Sequence, residues 1–555
     1  PQAFTVSFNT ARTGSKSVLL QGDGKWGCLR QLVEVEPDCD YEFRFYSRGS
    51  TTNEHIKILD TNMASISDVK MVQASEDWVL NTLEFNSSSN NMVHVYIGSK
   101  SLQNALYIDD AELIGPPPTG QTIVEEEEPY VPVITPSVFS NFITRQGDRL
   151  FDGSNELRFI SCNVPCMLMV EEIGFTLPIP WEQEDAFKSV AQMGGQVIRT
   201  YTLTVKNPAD QTNTKYHVYR DAQGNIAFDE DFFVAMDYAL AFANMYGVRL
   251  IIPLIDQWSH HGGITEFAAF RNKSKDEFWT DPEIRTDFKM VISYVLNRTN
   301  TLTGVQYKND PAVLAWEVGN ELLPPSNDTW TPDIAAYIKS IDQNHLVLDG
   351  FQGVRQASLE DDNIDMVSNH GYRALSNKDM VAIARNGRAA SIGIKPFIMG
   401  EFGFAPTDEY INLMNEVVDN GSSGALLWCL RYHQEKGGFY WEREEDYKTT
   451  TYYAYHWPGF AADDRVDGTN VLNLVREYAY KIRGMDTPPA LSVPEAPKMF
   501  KATRLNKLYW RGSAGASTYE LERTVSLNGQ PDDESWTTVR TDISDYIFGG
   551  SRPYA

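Results

Sequence analysis

Two short stretches of this 555-residue chain carry carboxylates where chemistry could be done. "AWEVGNEL", residues 315–322, sets Glu317 and Glu321 four positions apart on what reads as one short strand. "PFIMGEFG", residues 396–403, carries Glu401 between Gly400 and Phe402. Two carboxyl groups facing each other across a cleft can break a glycosidic bond, one protonating the leaving oxygen while the other attacks or activates water. The acid needs a raised pKa, so that it still holds a proton near pH ~6–7, whereas its partner must stay ionised. One glutamate should therefore be flanked by apolar surface and the other by hydrogen-bond donors.

Such groups need rigid elements to aim them. Between residues 137 and 490, short runs rich in Val, Ile and Leu alternate with longer segments of mixed polarity, the pattern of buried parallel strands joined by helices. The runs are "LRFISCN" from 157, "QVIRTY" from 196, "VRLIIPLID" from 248, "AVLAWEVG" from 312, "HLVLDG" from 345, "IDMVSNH" from 364, "PFIMGE" from 396 and "GALLWCL" from 424. Eight such units in about 350 residues predict a (β/α)8 TIM barrel, whose site lies at the carboxyl ends of the strands. Polar and aromatic residues cluster at those ends: Arg199 and Tyr201 on the second run, Asp256 and Trp258 on the third, Asn320 and Glu321 on the fourth. His370 and Tyr372 end the sixth, Glu401 the seventh, and Trp428 falls late in the eighth. Glu321 and Glu401 form the one Glu pair with this placement; Asn320 could hold a sugar 2-hydroxyl, and Tyr372 could hydrogen-bond Glu401 and keep it ionised.

The rest of the chain narrows the class. A net charge of -27 argues against nucleic acid or anionic membrane as partner, and no apolar run reaches the roughly 18 residues of a spanning helix. Twelve Trp and 27 Tyr suit stacking on sugar rings. Five cysteines make no zinc spacing; Cys28 could pair with Cys39 and Cys162 with Cys166, or all could be reduced. His260 and His261, adjacent in an extended segment, should point apart, and with no acidic spacing to complete a set neither a metal site nor a cofactor is expected. The chain opens on "PQAFTV" with no basic-then-apolar leader, so a signal peptide is read as absent or removed.

"GPPPTGQTIVEEEEPYVPVITP" at 115–136 is a solvated linker signal, giving a first domain over 1–115 and a linker over 116–136. Before it, runs such as "DYEFRFYS" and "NMVHVYIG" alternate with period two, the signature of an antiparallel β-sandwich. Through its closing "YIDDAEL" and its size this segment resembles the jelly-roll carbohydrate-binding modules appended to glycosidases, with Trp26, Tyr41 and Trp78 as candidate platforms. That resemblance leaves a structural calcium ion there open. After the proline-rich "GMDTPPALSVPEAP", residues 491–555 resemble the start of a fibronectin type III-like sandwich, a Trp strand followed by Tyr-x-Leu-x-Arg, and are too few to complete one.

The central domain, 137–490, resembles the endo-β-mannanases of glycoside hydrolase family 5, through "HHGGITEFAAF", "DEFWTDPEIRTDFKMVISYVLNRTNTLTGVQYKNDPAVLAWEVGNEL", "IAAYIKSIDQNHLVLDG" and the opening "FITRQGDRLFDGSNELRFISCN". The resemblance implies Glu321 as acid/base and Glu401 as nucleophile, supported by Arg199, Asn320, His370 and Tyr372, with Trp428 under the scissile sugar and Trp258 as an aromatic after the third strand. Glu317 is not implied as catalytic and is expected to form a buried ion pair with Arg199. The expected activity is retaining hydrolysis of internal β-1,4 bonds in mannan, glucomannan or galactomannan, by a secreted monomer, with carboxyl groups about 5–5.5 Å apart. The alternative is a relative with the same machinery acting as a β-glucanase or exo-β-mannosidase. Three departures bear on sugar preference: "NEL" for Asn-Glu-Pro, "DQW" for Asn-Asn-Trp, and a longer eighth region, "WCLRYHQEKGGFYWE", in which Arg431, His433 and Trp441 could reshape the cleft. Asn-x-Ser/Thr acceptors stand at Asn86, Asn272, Asn297, Asn327 and Asn420.

Overall fold

The computed structural model describes residues 4–7, 12, 17–20, 27–50, 54–99, 105–115, 130–171, 175–209, 215–372, 379–440, 443–445, 451–459, 468–500, 508–524, 526–527, 530–531 and 535–545. Trp26, Trp441 and the larger part of the linker segment lie outside them. Two compact units result, one of Pro1–Glu128 with Lys501–Leu508 and one of Pro129–Phe500 with Tyr509–Ala555.

Eight parallel strands build the second unit: β1 (Phe159–Asn163), β2 (Val197–Arg199), β3 (Arg249–Pro253), β4 (Val313–Glu317), β5 (Leu346–Leu348), β6 (Val367–Tyr372), β7 (Phe397–Gly403) and β8 (Gly424–Leu427). Their sheet order follows the chain, β1 pairs with β8, and a parallel bridge between Leu348 and Met366 closes β5 onto β6. The result is a (β/α)8 barrel. The sequence reads as continuous apolar runs because these strands are buried on both faces; all five residues of β4 are buried. Helices on the outside begin where the sequence signals them. Pro282 opens Pro282–Asn297 while Asp281 accepts from the amides of Glu283 and Ile284 at 2.8 and 3.1 Å.

Inside the barrel, Val197, Ile251, Leu314, Leu346, Leu348, Met366, Ile398 and Leu426 form one apolar cluster. A three-stranded antiparallel sheet, Ile143–Gln146, Arg149–Asp152 and Asn155–Leu157, adds Ile143, Leu150 and Leu157 to it. Because Leu157 lies two residues before β1 begins, this sheet plugs the amino-terminal end of the barrel and leaves the carboxyl ends as the open face.

The first unit holds two antiparallel sheets, one of five strands and one of four, over a shared core that includes Phe43, Phe45, Ile56, Ile58, Val93 and Ile97. Strand Asp40–Gly49 alternates buried and half-buried residues over most of its length, as its period-two pattern predicts. Tyr41 is buried in that core and stacks on Phe85 at 5.6 Å, which takes it out of the candidate platforms; Trp78 is half-buried. Beyond residue 508, Trp510–Arg511 pairs with Lys498–Met499 and Tyr519–Arg523 with Thr537–Ile543, all antiparallel. All five cysteines are free thiols.

Candidate active site

The site is assembled from strand ends. Arg199, the last residue of β2, is fully buried and makes five hydrogen bonds. Its Nε and Nη2 donate to Glu317 at 2.6 and 3.0 Å, Nη2 also to Asn320 Oδ1 at 2.9 Å, and Nη1 to Glu401 Oε1 at 2.7 Å and Asn163 Oδ1 at 3.3 Å. Burial works against the guanidinium charge, but Glu317 and Glu401 more than offset it, and Arg199 is held charged. Glu317 is thus a structural partner of the arginine, at the end of β4 and with no exposure.

Four residues past Glu317 the chain turns sharply. Asn320 N–H donates to Ile255 O at 2.7 Å, Gln257 N–H to Asn320 O at 3.0 Å, and Asn320 Nδ2 to Asp256 Oδ1 at 3.0 Å. Tyr201 Oη donates to the other Asp256 oxygen at 2.7 Å. Pinned in this way, the backbone carries Glu321 at φ 51°, a left-handed conformation that non-glycine residues adopt at a cost and that concentrates at functional sites. The Glu321 carboxylate points into the open mouth, where Trp258 Nε1 donates to Oε2 at 2.7 Å and His370 Nδ1 lies 2.9 Å from Oε1. Trp258 is 43% exposed, with Lys275 Nζ 5.5 Å from its ring centroid.

Opposite stands Glu401. The β6–β7 register shifts between Asn369 and His370, which sets His370 directly against Glu401; bulges of this kind re-aim side chains beside active sites. Gly400 makes the packing possible, since a Cβ there would come within 2.8 Å of His370 Nε2. Tyr372 Oη donates to Glu401 Oε2, and His370 Nδ1 lies 3.4 Å from the same oxygen. One carboxylate oxygen of Glu321, one of Glu401 and a ring nitrogen of His370 all fall within 4.8 Å of one another. Trp428 follows β8, half-buried, its ring edge-on to Tyr201 with centroids 5.8 Å apart.

The structure therefore brings together Arg199, Trp258, Asn320, Glu321, His370, Tyr372 and Glu401, with Trp428 across Tyr201 from them. Sequence reasoning missed Asn163, which ends β1, donates from Nδ2 to Gly400 O at 3.0 Å and braces Arg199. Its position at the end of the first run was the available signal. Asp256 was seen at a strand end without a role; it orients Asn320, and burial, against the opposing Asn320 and Tyr201 hydrogen bonds, raises its pKa to about 6.

Two expectations are corrected. His433 does not reshape the cleft: its ring is fully buried, with Nδ1 3.0 Å from Asp185 and Nε2 3.2 Å from Asp545. His260 and His261 do not point apart, since a bend after β3 stacks their rings at 4.8 Å and turns both Nε2 atoms onto Glu171.

The protonation pattern also departs from what the sequence implies. Burial raises Glu321, but the His370 hydrogen bond and charge, the Trp258 indole and Arg199 outweigh it and bring the carboxyl down to about 2. At Glu401 burial wins over His370, Arg199 and Tyr372, the Glu321 charge adds to it, and the pKa is raised. His370 is raised as well, because the two carboxylates outweigh its own burial. His370 Nδ1 lies nearer to Glu321, at 2.9 Å, than to Glu401, at 3.4 Å.

Removing Arg199 should expose how much rests on it. Arg199→Met leaves Glu317 as an uncompensated buried carboxylate, and unfolding in urea is expected to show a loss of about 3–5 kcal/mol. A loss under ~1 kcal/mol would mean that water reaches Glu317.

A closed (β/α)8 barrel that pairs a half-buried glutamate, Glu321, with a buried one, Glu401, at its carboxyl rim has the arrangement that glycosidic-bond cleavage requires. Residues 183–375 match the family model "GH family 5 beta-mannosidase-like". Mannan endo-1,4-beta-mannosidase 8 of Oryza sativa subsp. japonica is 32% identical over 200 residues, 33% of this chain and 51% of that protein. Mannan endo-1,4-beta-mannosidase 2 of Arabidopsis thaliana is 35% identical over 176 residues, 29% of this chain and 38% of that protein. The chain spans about half or less of the length of these curated relatives. The crystal structure of a glycoside hydrolase family 5 mannosidase from Rhizomucor miehei superposes with a TM-score of 0.50 at 18% identity, over 62% of this chain and 98% of that one, a likeness of fold. Residues 183–375 are thus similar to glycoside hydrolase family 5 mannosidases, and the chain has endo-1,4-β-mannosidase relatives at about 30% identity over part of its length.

Proposed function

We propose that this protein hydrolyses internal β-1,4 bonds of mannan, glucomannan or galactomannan with retention at the anomeric carbon. The observation that carries the reading is the close approach of the two carboxylates, oxygens within 4.8 Å, between donors supplied by Arg199, Trp258, His370 and Tyr372. An inverting pair stands about 6.5–9.5 Å apart to admit water, whereas a retaining pair stands close enough for one group to attack directly. Glu401 is the nucleophile, Glu321 the acid and then the base, Asn320 the partner of the 2-hydroxyl, and Trp428 the platform of the reacting sugar. A glycosidic oxygen arriving at Glu321 displaces the Trp258 and His370 contacts that hold its pKa down. Loss of those two hydrogen bonds lets burial act more strongly on the carboxyl and moves its pKa upward, the direction an acid needs.

The reading extends to a secreted monomer whose first unit is a sugar-binding jelly roll and whose last described strands begin a fibronectin type III-like sandwich. It is tested by reducing-sugar release from linear mannan, galactomannan, glucomannan, cellulose, mixed-linkage glucan and xylan. Release from the mannans alone is expected; cleavage of a glucan with the mannans intact would overturn the substrate class and leave the barrel chemistry standing.

A second reading, exo-acting β-mannosidase, is favoured by one feature of the rim. Glu171, between β1 and β2, reaches Arg431 after β8 at 2.6 Å and the histidine pair after β3, drawing three loops together at one side of the mouth. Product sizes separate the two: a ladder of oligosaccharides for endo action, monosaccharide alone for exo.

A further inference from the structure

The Glu171 cluster is not used by the chemistry above. His260 Nε2 and His261 Nε2 lie 2.6 and 2.8 Å from one oxygen of Glu171, Oε2, while Arg431 Nη2 holds the other, Oε1, at 2.6 Å. Two imidazole nitrogens and a carboxylate oxygen, all within 4.8 Å of one another, are a donor set for a late first-row divalent cation. We propose that Glu171, His260 and His261 form a metal site at the barrel mouth, selective for zinc-like ions over calcium or magnesium. The inference stands whichever glycan the barrel cleaves.

The three donors differ in how firmly they are set. His261 is fixed: its side chain is 2% exposed, its ring meets Tyr201 edge-on at 4.9 Å and Phe175 at 5.4 Å, and its carbonyl accepts from Val205 N–H at 3.0 Å. Glu171 is oriented by Arg431 through the oxygen facing away from the histidines, as outer-shell partners orient carboxylate ligands. His260 is the adjustable member, 57% exposed. It can withdraw, and the Glu171 carboxylate can swing with it, by the roughly 0.6–0.8 Å that separates the present 2.6 and 2.8 Å contacts from the ~3.4 Å between donors that share a tetrahedral ion at about 2.0–2.2 Å. Beside the pair lies a cavity of about 150 Å³ lined by Ser259, His260, His261 and Gly262, roomy enough for water to complete a tetrahedron.

The same closeness recurs at Glu321, His370 and Glu401, but there donors from Arg199 and Tyr372 occupy both oxygens of Glu401. At Glu171 the inward oxygen receives imidazole nitrogens only, among the described residues. Hard oxygen-seeking cations are poorly served by two nitrogens, which sets the expected selectivity.

The test is calorimetric titration of the full chain, with the thiols kept reduced, by zinc chloride near neutral pH, beside His260→Gln and Glu171→Gln. One zinc ion per chain is expected, with affinity on the order of 100-fold weaker in each variant. Cobalt(II) bound by the wild type should show the visible absorption of a tetrahedral N/O site, without the thiolate charge-transfer band that cysteine would give. His260 is exposed, so its glutamine variant should keep the fold and secures the comparison if Glu171→Gln does not. Failure to bind zinc, or equal affinity in wild type and His260→Gln, would overturn the assignment. So would a thiolate band, which would place the metal on cysteine.

Discussion

Glu401→Ala is expected to lower kcat on mannan by on the order of 10⁵-fold or more, because in a double displacement no other group forms the covalent intermediate. The loss should fall on every substrate, however good its leaving group. Added azide should occupy the space left by the side chain and attack from the same face, giving a product of inverted configuration with an activated aryl glycoside. That outcome separates a missing nucleophile from a merely disturbed site. The distinction matters here because in the resting structure Glu401 carries the raised pKa and Glu321 the one near 2, the reverse of their assigned roles in the first step. Rescue with retained configuration would assign the nucleophile to Glu321 instead.

Glu321→Ala is expected to cost about 10²–10⁴-fold on polysaccharide, the range of a lost general acid. On an aryl glycoside whose phenol leaves unaided, the first step should proceed nearly as in the wild type. The second should stall, because no base activates water, and the glycosyl-enzyme should accumulate as a burst in stopped-flow absorbance. Azide, which needs no base, should restore turnover with retained configuration. Equal losses on activated and unactivated substrates, with no burst, would refute the acid/base role.

Much of this site was legible before folding because the barrel imposes a simple grammar: a buried parallel strand is an apolar run, and the residue that ends it faces the mouth. Arg199 and Glu317 end their strands, and so does Asn163, which was overlooked for want of a charge, while Glu401 stands two residues before the end of β7. Strand limits were less legible. "IDMVSNH" begins at 364, yet β6 runs from Val367 to Tyr372, because the bulge that aims His370 extends pairing past the apolar residues. Glu171 was invisible: nothing in its own segment announces a partner, and the histidines it meets are 89 and 90 residues away. His433 misled for a related reason. Its neighbours read as a rim loop, but Asp185, 248 residues earlier, draws the ring inward. The protonation order of the two glutamates was out of reach as well, since it depends on His370 being nearer to Glu321, at 2.9 Å, than to Glu401, at 3.4 Å.

The sheet from Ile143 to Leu157 that stoppers the barrel has a bearing on how this protein can be altered. Its apolar contacts lie at the end of the strands remote from the carboxylates, so the parts that keep the molecule folded and the parts that transform a sugar occupy different floors of the same building. Variation that tightens the lower floor, a better-filling side chain around Leu150 for instance, can accumulate without disturbing the upper one. The stability gained there would tolerate riskier changes among the loops above, such as those between Trp428 and Phe439, where new substrate preferences would have to arise.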